Sequence, residues 1–433
     1  MSVRKKIIEL VEKHYEEEFP EEKFIPGETQ IPVSGKSFDY KDIESLVDAS
    51  LDFWLTEGRF TDIFEKKFSE YLQIRHTIPV NSGSSANLLA TFAAGNLLRN
   101  NHFKRGDEVL IPVLCWPTSL WPLVQFGLKP RFIDIDINTL NIDENKLIEK
   151  INNKTKAIML INVLGNSCNL FKIKKIAKQK KIIIIEDNCE SLGSKLKNKF
   201  LGTFGDFSTF SFYYSHQITS GEGGMVVCNT EEDYEILFSM RSHGWLGGTR
   251  FYPRNFKLYK KYAIEYPNLD PRYIFVNSGF NLRPTDIQAA IAHNQFKRLP
   301  LLIRQRERNR KLIINRIVSS KNWKNQFSFI YPAKNIKPSW MVLPVILNKK
   351  YFKKKQLFIN LLDKLGIETR PLISGSFINQ PASKLYKLNP KKEAFPNAQK
   401  IQNLGFVIGL HTHKITEKNL NLIHDSFYKI DKI

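Results

Sequence analysis

A regular alternation of short apolar runs with helical segments, from about residue 40 to 295, constrains the fold of this 433-residue chain most strongly. The apolar runs include HTIPV, DEVLIPVLC, PRFIDIDI, KAIMLINVLG and KIIIIED, and helical segments such as SSANLLATFAAGNLL follow them. Continuous apolar strands separated by helices are typical of a parallel sheet that helices cover on both faces. We therefore expect an α/β fold with a large, mostly parallel sheet.

The length of the chain predicts more than one folding unit. Residues 4–18 have apolar positions at helical spacing, and a segment with several prolines and glycines follows them. Residues 305–317 are predicted to form a helix that leads into a smaller domain, in which SWMVLPVILN and GIETRPLI are strands. We therefore divide the chain into an N-terminal helix and arm (1–38), a large domain (39–300) and a smaller C-terminal α/β domain (301–433).

The formal net charge of +22 raises the possibility of nucleic-acid binding. The lysines are spread along the whole chain, however, and no nucleic-acid-binding motif accompanies them, so we expect no nucleic-acid partner. The N-terminus lacks the apolar region of a signal peptide, and the longest apolar runs are too short to span a bilayer. The four cysteines are scattered, which is typical of reduced thiols. These features predict a cytoplasmic protein without a membrane partner.

Two segments carry residues that could bind a ligand. In NSGSSANLLA, Gly83, Ser84 and Ser85 lie between a strand and a helix, where backbone N–H groups can bind an anion. Asp187 ends the apolar run KIIIIED, at the carboxyl end of a strand, where α/β sheets place ligands. Taken alone, the first segment could be a turn that is small for packing reasons, and Asp187 could be a helix cap or a member of an ion pair.

Residues 202–227, GTFGDFSTFSFYYSHQITSGEGGMVV, add a resemblance to a known family. They resemble the cofactor-anchoring segment of the DegT/DnrJ/EryC1/StrS sugar aminotransferases, which are fold type I enzymes that use pyridoxal 5′-phosphate (PLP). The family has at this position a lysine that bonds covalently to PLP, whereas this chain has His216, whose imidazole cannot form that bond. The branch of the family that has histidine here consists of nucleotide-sugar 3-dehydratases. The resemblance implies that His216 is the catalytic base and that pyridoxamine 5′-phosphate (PMP) is the working form of the cofactor.

The resemblance also implies roles for further residues. Gly83, Ser84, Ser85 and Ser211 match ligands of the PLP phosphate, Trp116 matches an aromatic residue that stacks on the ring, Asp187 matches the partner of the pyridine nitrogen, and Glu190 lies close to the ring. Asn281 matches a residue that reaches the phosphate of the neighbouring subunit, which implies a homodimer with shared active sites. Arg370 is a candidate for binding the nucleotide diphosphate, because a guanidinium suits phosphate geometry; it could also form a surface ion pair. His411 could line the same cleft or be exposed to solvent.

Two related dehydratases have histidine at this position. One acts on CDP-4-keto-6-deoxyglucose with a separate reductase and an iron–sulfur cluster; the other acts on GDP-4-keto-6-deoxymannose and regenerates PMP with glutamate. The N-terminal arm, including FIPGETQIPVSGK, resembles the first enzyme, but its cluster requires thiolates in a segment that here, from RSHGW to NLD, contains no cysteine. We therefore expect the GDP-sugar reaction, with L-glutamate as co-substrate and with neither an iron–sulfur cluster nor another metal. The alternatives are the CDP-sugar reaction and a catalytically silent PLP-fold binding protein. Gln217 departs from both dehydratases, which commonly have a second histidine there.

Overall fold

The computed structural model describes residues 2–20, 24–26, 28–34, 38–245, 256–388 and 394–433. The strands are β1 His76–Val80, β2 Glu108–Pro112, β3 Lys129–Ile133, β4 Thr155–Ile161, β5 Ile183–Asp187, β6 Lys195–Leu196, β7 Lys199–Phe200, β8 Phe207–Ser211, β9 Gly224–Cys228, β10 Phe327–Phe329, β11 Ile336–Lys337, β12 Val342–Leu347, β13 Thr369–Arg370 and β14 Gly405–Gly409.

The helices are α1 Val3–Glu18, α2 Tyr40–Asp52, α3 Arg59–Leu72, α4 Gly83–Ala94, α5 Pro117–Phe126, α6 Glu144–Lys150, α7 Leu170–Lys180, α8 Glu231–Arg241, α9 Lys257–Glu265, α10 Asp286–Val318, α11 Lys355–Lys364, α12 Pro381–Leu385, α13 Pro396–Leu404 and α14 Glu417–Tyr428. Short 3₁₀ helices include Val163–Gly165, Pro271–Tyr273, Lys349–Lys354, Phe377–Asn379 and Lys429–Asp431. Among the described residues, no helix combines the length and the apolar character that crossing a membrane requires.

The large sheet has seven strands in the order β1-β9-β8-β5-β4-β2-β3. The neighbours from β8 to β3 pair in parallel, whereas β9 pairs antiparallel with both β8 and β1. The burial of β1, β4, β5, β8 and β9 along nearly their whole length explains their continuous apolar sequences, because helices cover both faces. The predicted α/β fold with a mostly parallel sheet is confirmed.

One edge of this sheet gathers the ends of five strands. The register pairs Ile161 with Asp187 and Asp187 with Thr209, next to Ser211. Ser211 pairs with Gly224, which in turn pairs with Val80, three residues before the next helix begins. The carboxyl ends of β1, β4, β5 and β8 therefore meet the start of β9 at one place, which is where open α/β sheets bind ligands.

A four-stranded antiparallel sheet, β10-β12-β14-β13, forms the centre of the C-terminal part. The segment SWMVLPVILN supplies β12 as expected, but GIETRPLI supplies only the two-residue strand β13. In the N-terminal arm, Ile31 forms a bridge with Ile367, and the Val33 N–H donates to Glu368 Oε2 at 2.7 Å. These contacts fasten the described part of the arm to the C-terminal sheet.

Helix α10 runs continuously for 33 residues from the large sheet to the C-terminal part. It begins much earlier than the helix predicted from residues 305–317, because Thr285 and Gln288 form a capping box at its start. The predicted domain boundary at residue 300 therefore lies within this helix. Within the arm predicted for residues 1–38, residues 21–23, 27 and 35–37 lie outside the described residues, and so do residues 246–255 of the cysteine-free segment.

Candidate active site

A cavity of about 580 Å³ opens at the edge of the large sheet where the strand ends meet. Eight of the predicted site residues line it: Gly83, Ser84, Trp116, Asp187, Glu190, Ser211, His216 and Arg370. They come from four strand ends of the large sheet with the segments that follow them, and from one segment of the C-terminal part. The structure thus brings together most of the residues that the sequence marked as functional.

The end of the cavity near α4 is shaped to bind an anion. The side chain of Ser82 caps α4 by accepting a hydrogen bond from the Ser85 N–H at 3.0 Å. The N–H groups of Gly83 and Ser84 lie in the first turn, where a helix supplies no carbonyl partner for them. A Cβ atom at Gly83 would lie 2.3 Å from Cβ and 2.7 Å from Oγ of Ser211. Glycine is therefore required here, because the helix start approaches the Ser211 hydroxyl this closely. The result is a polar cradle with the positive end of a helix dipole.

Asp187 presents a fixed carboxylate in the interior of the cavity. It is 4% exposed, and Oδ2 accepts hydrogen bonds from Asn87 Nδ2 at 2.8 Å and Ser119 Oγ at 2.7 Å. Its Oδ1 accepts from the Cys189 N–H at 3.0 Å. Three donors thus hold the carboxylate in one orientation at the end of β5, where it can pair with a cationic group of a ligand.

His216 lies in the turn that connects β8 to β9, and its half-buried side chain lines the cavity. Within the described part of the chain, its Nδ1 is buried and has no hydrogen-bond partner. Burial lowers the pKa of the imidazole to about 4; the Ser211 backbone and the Asp187 charge oppose this shift, and the Arg306 charge adds to it. The imidazole is therefore neutral near pH 7 and able to accept a proton.

Glu190 and Gln217 occupy different positions relative to the cavity. Glu190 lines it, and its Oε2 accepts a hydrogen bond from the Leu164 N–H at 2.9 Å. Burial raises the pKa of Glu190 to about 7, and the nearby Asp187 charge adds to the effect. Gln217 is fully buried, and its Nε2 donates to the main-chain oxygens of Glu190 and Ser339. The amide that replaces the second histidine therefore joins two main-chain segments.

Trp116 and Arg370 lie on the open side of the cavity. Trp116 is 57% exposed at the start of α5, although large aromatic side chains are usually buried. Arg370 is also exposed, and its guanidinium pairs with Glu368 Oε1 at 3.0 Å. It therefore forms the surface ion pair that the sequence left open and also lines the cavity, and its binding of a nucleotide diphosphate stays a prediction.

Three predicted residues do not line the cavity. Ser85 belongs to the α4 cap, one residue further into the helix. Asn281 is exposed and forms an isolated bridge with Ser242. The main-chain oxygen of His411 accepts a hydrogen bond from Asn309 Nδ2 at 2.9 Å, and its Nε2 is buried without a partner among the described residues.

Sequence reasoning missed the residues that fix the catalytic groups. Asn87 and Ser119 hold Asp187 but belong to helices α4 and α5, where a small polar residue has no distinctive pattern. A usable signal for Asn87 was its position on the otherwise apolar face of a helix: it is buried, and its Oδ1 accepts from Thr209 Oγ1 at 2.7 Å. A buried polar side chain in such a place requires partners.

The described residues contain no group of three or more histidine, cysteine, aspartate or glutamate side chains that could hold a metal ion. Cys189 lies beside the cavity as a free thiol, and burial raises the pKa of that thiol. Its position below Gly83 is that of a small packing residue.

Comparison with known proteins agrees with this site. The model of the DegT/DnrJ/EryC1/StrS aminotransferase family matches residues 37–427. The chain is 36% identical over 397 residues to the GDP-4-keto-6-deoxy-D-mannose 3-dehydratase of Yersinia pseudotuberculosis, covering 91% of this chain and 97% of that protein. It is 34% identical over 427 residues to the lipopolysaccharide biosynthesis protein RfbH of Salmonella typhimurium, covering 96% of this chain and 95% of that protein.

Among solved structures, GDP-4-keto-6-deoxymannose-3-dehydratase with a trapped PLP-glutamate geminal diamine matches with a TM-score of 0.81. The two are 32% identical, and the match covers 90% of this chain and 98% of that one. The family match spans most of the chain. The chain therefore belongs to the DegT/DnrJ/EryC1/StrS aminotransferase family.

Proposed function

We propose that this protein is a PLP/PMP-dependent 3-dehydratase that removes the C3 hydroxyl of a nucleotide-linked 4-keto-6-deoxyhexose. The expected substrate is GDP-4-keto-6-deoxymannose, and L-glutamate is the amine donor. The observation that carries the proposal is His216, a residue that cannot bond covalently to PLP, in a cavity that most of the predicted cofactor ligands line. Relatives and a solved structure with this substrate in their names support the same assignment.

The residues around the cavity fit the cofactor. Gly83, Ser84 and Ser211 would hold the phosphate, because the helix start and the hydroxyl converge there. Asp187 would pair with the pyridine nitrogen, since its carboxylate is buried, oriented and already supplied with donors on its other side. Trp116 is exposed at the mouth of the cavity, where an aromatic face is free to stack on the ring.

When bound, PMP supplies an amine that condenses with the 4-keto group and a C4′ methylene whose proton, once removed, leaves electrons that expel the C3 hydroxyl. His216 is the group that takes this proton, because it is neutral and faces the cavity. Anionic phosphates bound beside the imidazole would raise its pKa from about 4 towards the working pH, which makes it a stronger base. A lysine at this position would carry the proton on to sugar C4 and complete a transamination, so its absence suppresses that outcome.

The distribution of cysteines favours the GDP sugar over the CDP sugar. Cys189 is the one cysteine among the described residues that line the cavity, and residues 241–270 of the sequence contain none. A cluster of the reductase-dependent type needs about four thiolates. Glutamate is therefore the expected source of reducing equivalents: it leaves as 2-oxoglutarate while the sugar loses one oxygen atom.

The proposal includes a homodimer with shared active sites, in which Asn281 serves the partner's phosphate site. Its exposure and its distance from this chain's own cavity lining support that role. The proposal also includes a cytoplasmic location, where scattered cysteines stay reduced.

The test is a comparison of wild type with His216→Ala in the presence of PLP, glutamate and the GDP sugar. We expect wild type to form the 3-deoxy sugar and His216→Ala to be slower by about 100-fold or more, because a general base contributes about that much. A shift of PLP absorbance on binding to both proteins is the control for an intact cofactor site. Deoxygenation by His216→Ala at the wild-type rate would overturn the assignment.

A further inference from the structure

We propose that Arg306 is a positioning residue for His216: it holds the His216–Gln217 main chain from behind and places a fixed positive charge beside the imidazole. The inference rests on the proposed function of His216 as the base. It concerns a residue of α10 that does not line the cavity and that touches the site only through the turn that carries His216.

The contacts of Arg306 show what it holds. The side chain is 5% exposed. Its Nη1 donates to the main-chain oxygen of Gln217 at 3.0 Å, and its Nη2 donates to the main-chain oxygen of His216 at 3.4 Å. Its Nε is buried without a partner, and within the described residues no carboxylate lies close enough to form an ion pair with it. Burial lowers the pKa of Arg306 to about 10, so it is a cation at neutral pH.

A buried arginine without an acidic partner is energetically costly. Hydrogen bonds from its N–H groups to buried acceptors that would otherwise be unpaired can offset this cost. Here the donors contact the main-chain carbonyl groups of His216 and of the residue that follows it. The planar guanidinium can contact both at once, which a lysine cannot do with the same geometry.

Gln217 secures the same turn from its other side. Its Nε2 donates to the main-chain oxygen of Ser339 at 3.0 Å and also to that of Glu190. The turn is therefore held by α10, by the segment after β5 and by the segment before β12. A displacement of the main chain that carries His216 would have to break contacts with all three.

The charged and titratable groups that face His216 come from every side of the cavity. They are Asp187, Cys189 and Glu190 from β5 and the segment after it, Tyr213 and Glu222 from the β8–β9 connection, Arg306 from α10 and Arg370 from the C-terminal part. Removing the Arg306 charge would raise the His216 pKa, because that charge now lowers it. The acid limb of kcat/KM would then move to higher pH.

The experiment compares Arg306→Met, Arg306→Lys and, as a matched control, Arg308→Met, which removes an exposed arginine from the same helix. Histidine labelled with ¹³C at Cε1 reports the His216 pKa in the full-length protein, as purified and after loading with PLP; the His216→Ala protein identifies the resonance. We expect Arg306→Met to raise the His216 pKa and the acid limb together, and to lower kcat by about 10- to 100-fold, because the base loses its fixed position.

Arg306→Lys separates position from charge. We expect it to keep the low His216 pKa but to lose kcat, since a lysine retains the charge and cannot contact both carbonyl groups. If Arg306→Met does not fold, Arg306→Lys still tests the positioning role. The inference is overturned if the Arg306 variants match Arg308→Met in kcat and in the His216 pKa. The NMR titration does not depend on turnover, so a wild-type protein without dehydratase activity would contradict the proposed function and leave this comparison readable.

Discussion

At the scale of single residues, the titratable side chains in the cavity differ in their hydrogen bonds and in the effect of burial on them. Asp187 accepts three hydrogen bonds that hold its carboxylate in one orientation. His216 and Glu190 have fewer hydrogen bonds. Burial lowers the pKa of His216 and raises the pKa of Glu190, which favours the neutral form of each. The same cavity can therefore hold a cationic ring nitrogen at one end and accept a proton at the other.

Glu190 gives a pH prediction for stability. Its folded-state pKa of about 7 lies above its ordinary value of 4.5, so the folded state holds a proton that the unfolded state has released between these two pH values. This group therefore makes the protein less stable as pH rises from about 4.5 to 7, and the loss then levels off. We expect Glu190→Gln to be more stable than wild type by about 1 kcal/mol at pH 8 and equal to it near pH 4.

The measurement is urea unfolding of both proteins across this pH range. A constant difference between the two proteins at every pH would contradict the raised pKa of Glu190. Groups that titrate in both proteins contribute to both stabilities, so the difference between the variants reports the Glu190 carboxyl group.

Gly83 gives a prediction for cofactor binding. A methyl group at this position would overlap the Ser211 side chain, because the added Cβ would lie 2.3 Å from the Ser211 Cβ. We expect Gly83→Ala to weaken PLP binding by about 100-fold, since the helix start and the hydroxyl would be forced apart. Titration of PLP absorbance measures this, and Ser84→Ala, which keeps the backbone donors, is the control with a smaller expected loss. Equal PLP affinities of Gly83→Ala and wild type would contradict a phosphate site formed by the start of α4 and the Ser211 hydroxyl.

At the scale of elements, α10 connects parts of the molecule that are distant in sequence. Its first turn contacts α3, Arg306 contacts the β8–β9 turn, and Asn309 holds the segment after β14 through the oxygens of His411 and His413. One helix therefore fixes the positions of three segments that are far apart in sequence.

Asp286 gives the prediction for this element. Helix α3 has no capping side chain of its own, and Asp286 of α10 accepts hydrogen bonds from the N–H groups of Gly58, Phe60 and Thr61. Because these donors would be buried and unpaired without it, we expect Asp286→Ala to lower the free energy of unfolding by about 3 kcal/mol. Chemical denaturation measures the change, and Glu149→Ala, at an exposed position on α6, is the control. A loss no larger than that of the control would contradict the capping role.

Local patterns explain which parts could be predicted from the sequence. Asp187 follows an apolar run and Gly83 begins a helix, so both could be placed at strand ends from neighbouring residues alone. Arg306 and Gln217 could not be placed, because their partners lie 89 and 122 residues away along the chain. The early start of α10 was missed because the apolar pattern is weak in its first half, where alanines pack against α2 and α3.

At the scale of the whole molecule, the described cavity and the exposed Asn281 lie on different parts of one chain. A proposed dimer that shares its sites has a consequence for mixed variants. In a heterodimer of His216→Ala and Asn281→Ala subunits, one site carries both substitutions and the other carries neither.

We therefore expect both single variants to be weakly active and their re-assorted mixture to recover about a quarter of wild-type activity, because half of the dimers would be mixed and each would have one intact site. Activity assays after mild denaturation and joint refolding measure this, with each variant refolded alone as the control. A mixture no more active than the average of its components would contradict shared sites.

The most direct test of the central claim is the identity of the product, measured by mass spectrometry. Purified protein with PLP and glutamate would be given GDP-4-keto-6-deoxymannose and, separately, CDP-4-keto-6-deoxyglucose. We predict a product from the GDP sugar that is lighter by one oxygen atom, with 2-oxoglutarate formed in equal amount. A 4-amino sugar from either substrate would contradict the account, because it would mean that a transamination is completed without the lysine that His216 replaces.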